Sequence, residues 1–100
     1  MSMFELHVCT LRGRLLRAFP VGDRAELILG RDETCDIQIR SPKVAEEHCA
    51  IEPEGEQLVL RDLGSREGTL VEGQRIQKVR VEGGLEVVVG PALIRFIETR

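Results

Sequence analysis

The sequence predicts an all-β protein, an antiparallel β-sandwich of about ten short strands. Apolar residues alternate with polar ones at a period of two along most of the chain, the pattern of a strand with one buried face. Glycine and acidic turns interrupt this alternation every 8 to 12 residues or so, too often for helices of ordinary length. Ten glycines and only three aromatic residues fit many tight turns around an aliphatic core.

The elements follow in order. Phe4, Leu6 and Val8 share one face of a first strand, "LLRAFPV" (15–21) makes a second, and "ELILG" (26–30) a third. Ile37 and Ile39 give a short strand within "CDIQI". "HCAIEP" and "QLVLRDL" flank the turn "EGE", where Gly55 can take positive φ, and so form a hairpin. After "GSREG" come "TLVEG", then "QRIQKVRV" (74–81) as one strand, the turn "EGG", "LEVVVG" and "ALIRFIET". No stretch keeps a helical apolar stripe long enough to compete.

With 100 residues the chain makes one domain, residues 1–100, large enough to bury roughly 60 to 70% of its surface. A net charge of -3 gives no general attraction for phosphate backbones, so no nucleic-acid partner is expected. The longest apolar runs, such as Val87-Val88-Val89, fall far short of a bilayer span, so no membrane insertion by this domain is expected. "MSMFELHVCT" lacks a basic start followed by an apolar stretch, and the expected location is cytoplasmic. Cys9, Cys35 and Cys49 have neither CxxC spacing nor a disulfide framework and are read as reduced thiols. No metal site is expected: the histidines and cysteines lack zinc-ligand spacing, and "DETCD" lacks the ordered acids and glycine of a calcium loop.

A sandwich displays loops at its ends, and three loops here are unusually polar: "GRDETCD", "RSPKVAEEH" and "DLGSREGTLVEG". In order and spacing, "LGR" followed by "CDIQI", "PKVAEEHCAI" and "LRDLGSREGTLVEGQRI" resembles the forkhead-associated (FHA) domain. That family's pattern is GR, then SxxH, then S-x-N-G-T-x-V-N-G. The closing "GGLEVVVGPALIRF" is similar to the family's last hairpin, so the resemblance covers nearly the whole chain.

The resemblance implies a sandwich of about eleven strands whose apical loops bind a phosphothreonine peptide, with no catalysis and no cofactor. Arg31 matches the arginine that grips the phosphate, a task suited to a permanently charged, rigid fork of donors. Arg66 falls where the family places a residue that can reach the phosphate. Gly30 and Gly68 match glycines that let the backbone turn, Thr69 matches the threonine after the turn, and His48 matches a histidine that supports the loops from inside.

The departures lie in the same loops. Ala45 stands where the family has the serine whose hydroxyl and backbone receive the phosphate, and Glu46 stands in place of a polar or basic residue. Glu67 and Glu72 replace the asparagines of N-G-T and V-N-G. Losing the hydroxyl removes a hydrogen bond to a charged group, worth about 1.5 to 3 kcal/mol. A carboxylate roughly 6 Å from a phosphate adds about 1.5 kcal/mol of repulsion in water and more in a drier site. A loss of about 4 kcal/mol turns a micromolar complex into a millimolar one. Glu46 or Glu67 is therefore expected to pair with Arg31 or Arg66 and fill the pocket from within.

The expected function is a non-catalytic interaction module of the FHA type, with weakened or lost phosphothreonine binding and a protein or peptide partner recognised without phosphorylation. Two alternatives stand beside it: a working phosphothreonine reader using Arg31 and Arg66, and a scaffold domain of a larger assembly such as a secretion-system inner ring. A hydrolase built on Ser65, His48 and Asp62 would need the nucleophile and base within hydrogen-bond reach, which the spacing does not require. The sequence sets neither the partner nor the oligomeric state.

Overall fold

The computed structural model describes residues 3–22 and 26–99, and their strands form two facing sheets. In chain order the strands are β1 (Phe4–Thr10), β2 (Leu15–Val21), β3 (Leu27–Gly30), β4 (Ile37–Gln38), β5 (Cys49–Glu54) and β6 (Gln57–Asp62). The remaining five are β7 (Thr69–Val71), β8 (Gln74–Arg75), β9 (Lys78–Arg80), β10 (Glu86–Val89) and β11 (Ala92–Glu98). One sheet has the order β2-β1-β11-β10-β7-β8 and the other β4-β3-β5-β6-β9. All pairings among the described strands are antiparallel except β3 with β4, where Leu29 lies beside Ile37. No helix among the described residues is long and apolar enough to cross a membrane.

The period-two pattern becomes burial directly. Phe4, Leu6 and Val8 of β1 point inward, where Leu6 meets the fully buried Phe96, Ile94, Leu29, Ile51 and Leu60 in one cluster drawn from both sheets. A register shift between Val8 and Cys9 in the β1–β2 pairing accompanies a break in the alternation, and Cys9 is buried directly after Val8. All three cysteines are free thiols. Burial, followed by the charge of Asp62, pushes the Cys49 thiol up to about 12, so it stays protonated and acts as a small hydrophobe.

Two turns hold the hairpins in register. Glu54 pairs with Gln57 across the loop Gly55-Glu56, and Gly55 takes φ +63° as the first residue of a II′-type turn does. Val71 pairs with Gln74 across Glu72-Gly73, where both φ values are positive (51° and 80°), as a I′ turn requires. Glu72 thus holds a left-handed conformation that suits asparagine better than a longer acidic side chain.

The run "QRIQKVRV" is not one strand. The Ile76 amide donates to the Thr69 carbonyl (2.9 Å), continuing β8 against β7, whereas the next carbonyl, that of Gln77, accepts from the Asp62 amide (2.8 Å) and leads into β9 against β6. The run passes from one sheet to the other between residues 76 and 77. The apolar positions Ile76, Val79 and Val81 slip out of the period-two phase at Gln77-Lys78, where the chain changes sheet.

Candidate functional site

The loops at one end of the sandwich are joined by backbone hydrogen bonds before any side chain contributes. Beyond β3, the amides of Arg31 and Asp32 donate to the carbonyls of Ala45 (2.9 Å) and Glu46 (3.2 Å), and the His48 amide donates back to Leu29 (2.8 Å). Gly30 lies where these strands press together. Its φ lies outside the positive region, so it is not a turning glycine; a Cβ there would stand 2.1 Å from the Glu46 carbonyl oxygen and 2.8 Å from Cys35 Sγ. Close approach is what the position demands. The Cys35 thiol in turn donates to the Glu46 carbonyl (3.1 Å).

His48 is fully buried and both ring nitrogens are used. Nδ1 accepts from the Ala45 amide (3.1 Å) and Nε2–H donates to the Gly68 carbonyl (2.9 Å), which specifies the Nε2–H tautomer. One imidazole therefore connects the 45–48 loop to the 64–69 loop.

The second loop has its own hub in Asp62, which sequence reasoning considered only as a triad member. Its carboxylate accepts from the hydroxyls of Ser65 (2.5 Å) and Thr69 (2.7 Å) and from the amides of Gly64 (2.9 Å) and Ser65 (3.1 Å). Burial pushes this carboxyl up, but the four donors outweigh it and hold Asp62 below the usual aspartate range. The signal was present in "DLGS", an aspartate followed by glycine and serine at the spacing of an Asx turn. A folded-state pKa below the unfolded one gives stability that is present above the unfolded value and lost as pH falls through the folded one. Melts from about pH 7 to pH 2 are therefore expected to lose loop stability below about pH 4. Asp62→Asn should melt lower than the parent at neutral pH and lose less on acidification; parallel curves would refute the assignment.

Gly68, with φ +90°, sits against the Arg75 side chain, whose guanidinium donates to the Arg66 carbonyl. Arg75 of β8 thus clamps the loop that carries Arg66 and Glu67, both exposed. The Ser65 hydroxyl donates to Asp62 and accepts from the Gly68 amide (3.1 Å), while both His48 nitrogens are engaged elsewhere. Ser65 and His48 are consequently not hydrogen-bonded to each other as a nucleophile and base would be.

Arg31 is exposed, and its Nε donates to the Val44 carbonyl (3.0 Å), which fixes the direction of the guanidinium. The expected internal neutralisation is absent: among the described residues, neither Arg31 nor Arg66 forms an ion pair with Glu46, Glu67 or any other carboxylate. Asp32 and Cys35 bind Glu46 through its backbone carbonyl, and the exposed carboxylate takes no part in this frame. Arg31 also lines an open cleft of about 380 Å³ together with Arg40, Ser41 and Pro42, three residues that lie outside the GR, SxxH and S-x-N-G-T motifs.

A family model for the FHA domain matches residues 27–90, which is 64 of the 100 residues and includes all three loops. The chain belongs to the FHA domain family. Solved structures agree on the fold. The FHA domain of CT664 from Chlamydia trachomatis is 24% identical, superposes with a TM-score of 0.87, and is matched over 99% of this chain and 100% of that one. EmbR of Mycobacterium tuberculosis, solved with a low-affinity phosphopeptide, is 26% identical with a TM-score of 0.80, over 97% of this chain but 24% of EmbR. The FhaA FHA domain, solved with the intracellular domain of Rv3910, is 22% identical with a TM-score of 0.78, over 93% and 98% of the two chains. No curated protein matches this FHA domain.

Proposed function

We propose that this FHA domain is a non-catalytic interaction module that meets a protein partner through its apical loops without requiring phosphorylation, in a reducing, cytoplasmic setting. The observation that carries this reading is at Ala45. The position has no hydroxyl, and its amide is already donated to His48 Nδ1 (3.1 Å), so neither its side chain nor its amide is left to receive a phosphate. The exposed carboxylates of Glu46 and Glu67 add repulsion in the same loops. The relatives support a binding role at the level of the family: one is solved with a phosphopeptide and another with a protein domain.

A second reading, a phosphothreonine reader, is favoured by Arg31 and Arg66 having no carboxylate partner among the described residues. Titration with a degenerate phosphothreonine peptide library and its unphosphorylated twin separates the two. The proposal expects phosphothreonine affinity near millimolar, about a thousandfold weaker than a micromolar reader, improving when Ala45→Ser and Glu67→Asn are combined. Micromolar binding by the natural sequence, abolished by Arg31→Ala, would establish the second reading instead.

A further inference from the structure

On the sheets Arg61 pairs with Glu52, Lys78 with Glu54 and Arg95 with Glu86, while Arg17, Arg75 and Arg80 have no carboxylate partner among the described residues. Around the cleft that Arg31 lines, no basic residue has one. Among the described residues Arg31, Arg40 and Lys43 have no carboxylate within ion-pair distance, although Glu46 and Glu47 follow in the same loop. Arg31 is already oriented by the Val44 carbonyl. The Ser41 oxygen accepts from the Lys43 amide (3.1 Å), which leaves the hydroxyl hydrogen to donate outward, and Pro42 stiffens the backbone between them.

We propose that Arg31, Arg40 and Ser41 form a seat for a carboxylate carried by an acidic segment of the partner, displaced from the position where the family receives phosphate. The inference rests on the reading that the apical loops are the contact face, and it names the partner's chemistry. A single charge suits this cleft better than a double one. The cost of removing an ion from water rises with the square of its charge, whereas its attraction to two guanidinium groups rises only in proportion. Two arginines and one hydroxyl can satisfy the two oxygens of a carboxylate, whereas the three of a phosphate would depend on the donors that Ala45 no longer supplies.

The test is an amide NMR titration of the whole chain with three probes: a capped peptide of aspartate, glutamate and glycine, its asparagine–glutamine counterpart, and a phosphothreonine peptide. The acidic peptide is expected to shift the amides of Arg31, Arg40 and Ser41, to weaken with added salt, and to lose about three- to fivefold in affinity with Arg40→Gln. Arg40→Lys should recover part of that loss, and the neutral counterpart should not bind. Unchanged affinity in Arg40→Gln, or shifts confined to residues 45–48 and 66–69, would overturn the carboxylate seat while leaving the apical contact face intact. Tighter binding of the phosphothreonine peptide through Arg40 and Ser41 would overturn the choice of carboxylate over phosphate. Absence of shifts in any apical loop, with all three probes, would remove both this inference and the reading beneath it.

Discussion

Replacing His48 by alanine is expected to destabilise the domain by roughly 3 to 5 kcal/mol and to disconnect its two recognition loops. The imidazole is fully buried, so its loss leaves a cavity, and it strands the Ala45 amide and the Gly68 carbonyl that it now satisfies. Each stranded group costs about 1 to 3 kcal/mol. For a chain of this size the melting temperature should fall by roughly 15 °C or more. His48→Asn should recover part of the stability, because a short amide can still accept from Ala45 while failing to reach Gly68. A fall of less than about 4 °C in the alanine variant would mean that the loops are held by something other than this bridge.

Gly30→Ala should be nearly as damaging, for a reason unconnected with backbone freedom. The added methyl would lie 2.1 Å from the Glu46 carbonyl oxygen, and the thiol of Cys35, at 2.8 Å, would also be in the way. The thiol can swing aside, but the carbonyl is held between the Asp32 amide and the neighbouring contacts of Arg31 and His48. Something in that ladder must separate, at a cost of about 3 kcal/mol on the scale of overpacked cores. Gly22→Ala is the matched control: among the described residues no atom beyond its chain neighbours stands within 4 Å of the new methyl, and its effect should stay within about 0.5 kcal/mol. Denaturant unfolding of the pair measures the difference directly, and equal midpoints would show that the Gly30 backbone yields without loss.

These residues also mark how far the sequence could be read. β1 and the β5–β6 hairpin were legible because facing and turns are local properties, written in the alternation of β1 and in Gly55; β2, apolar at six of its seven positions, announced a strand but not its facing, and its Leu15 and Leu16 are exposed. The split of 74–81 left one trace, the phase slip at Gln77-Lys78 between Ile76 and Val79, but a slip of one residue does not say that the hydrogen-bonding partner changes from β7 to β6. Arg31 and His48 were legible as parts of a spaced motif, and Asp62 was legible in principle from its Asx turn. The orientation of charges was not. Which carboxylate meets which guanidinium depends on how the backbone of 44–46 is held, and there Val44 supplies a carbonyl to Arg31 while the Glu46 carbonyl engages Asp32 and Cys35. Arg40 and Ser41 acquire meaning only when folding sets them beside Arg31.

The passage of the chain between sheets has a mechanical counterpart. Arg31 rides on the sheet of β3, whereas Gly68 leads into β7 of the opposite sheet, and the loop that bears Arg66 leaves from one layer and lands on the other. The separation of the two lips is therefore a caliper reading of the thickness of the core, about 10 Å between facing sheets. Leu29, Ile51, Val87 and Val89, none of which touches a ligand from inside the sandwich, are the spacers that set the jaws.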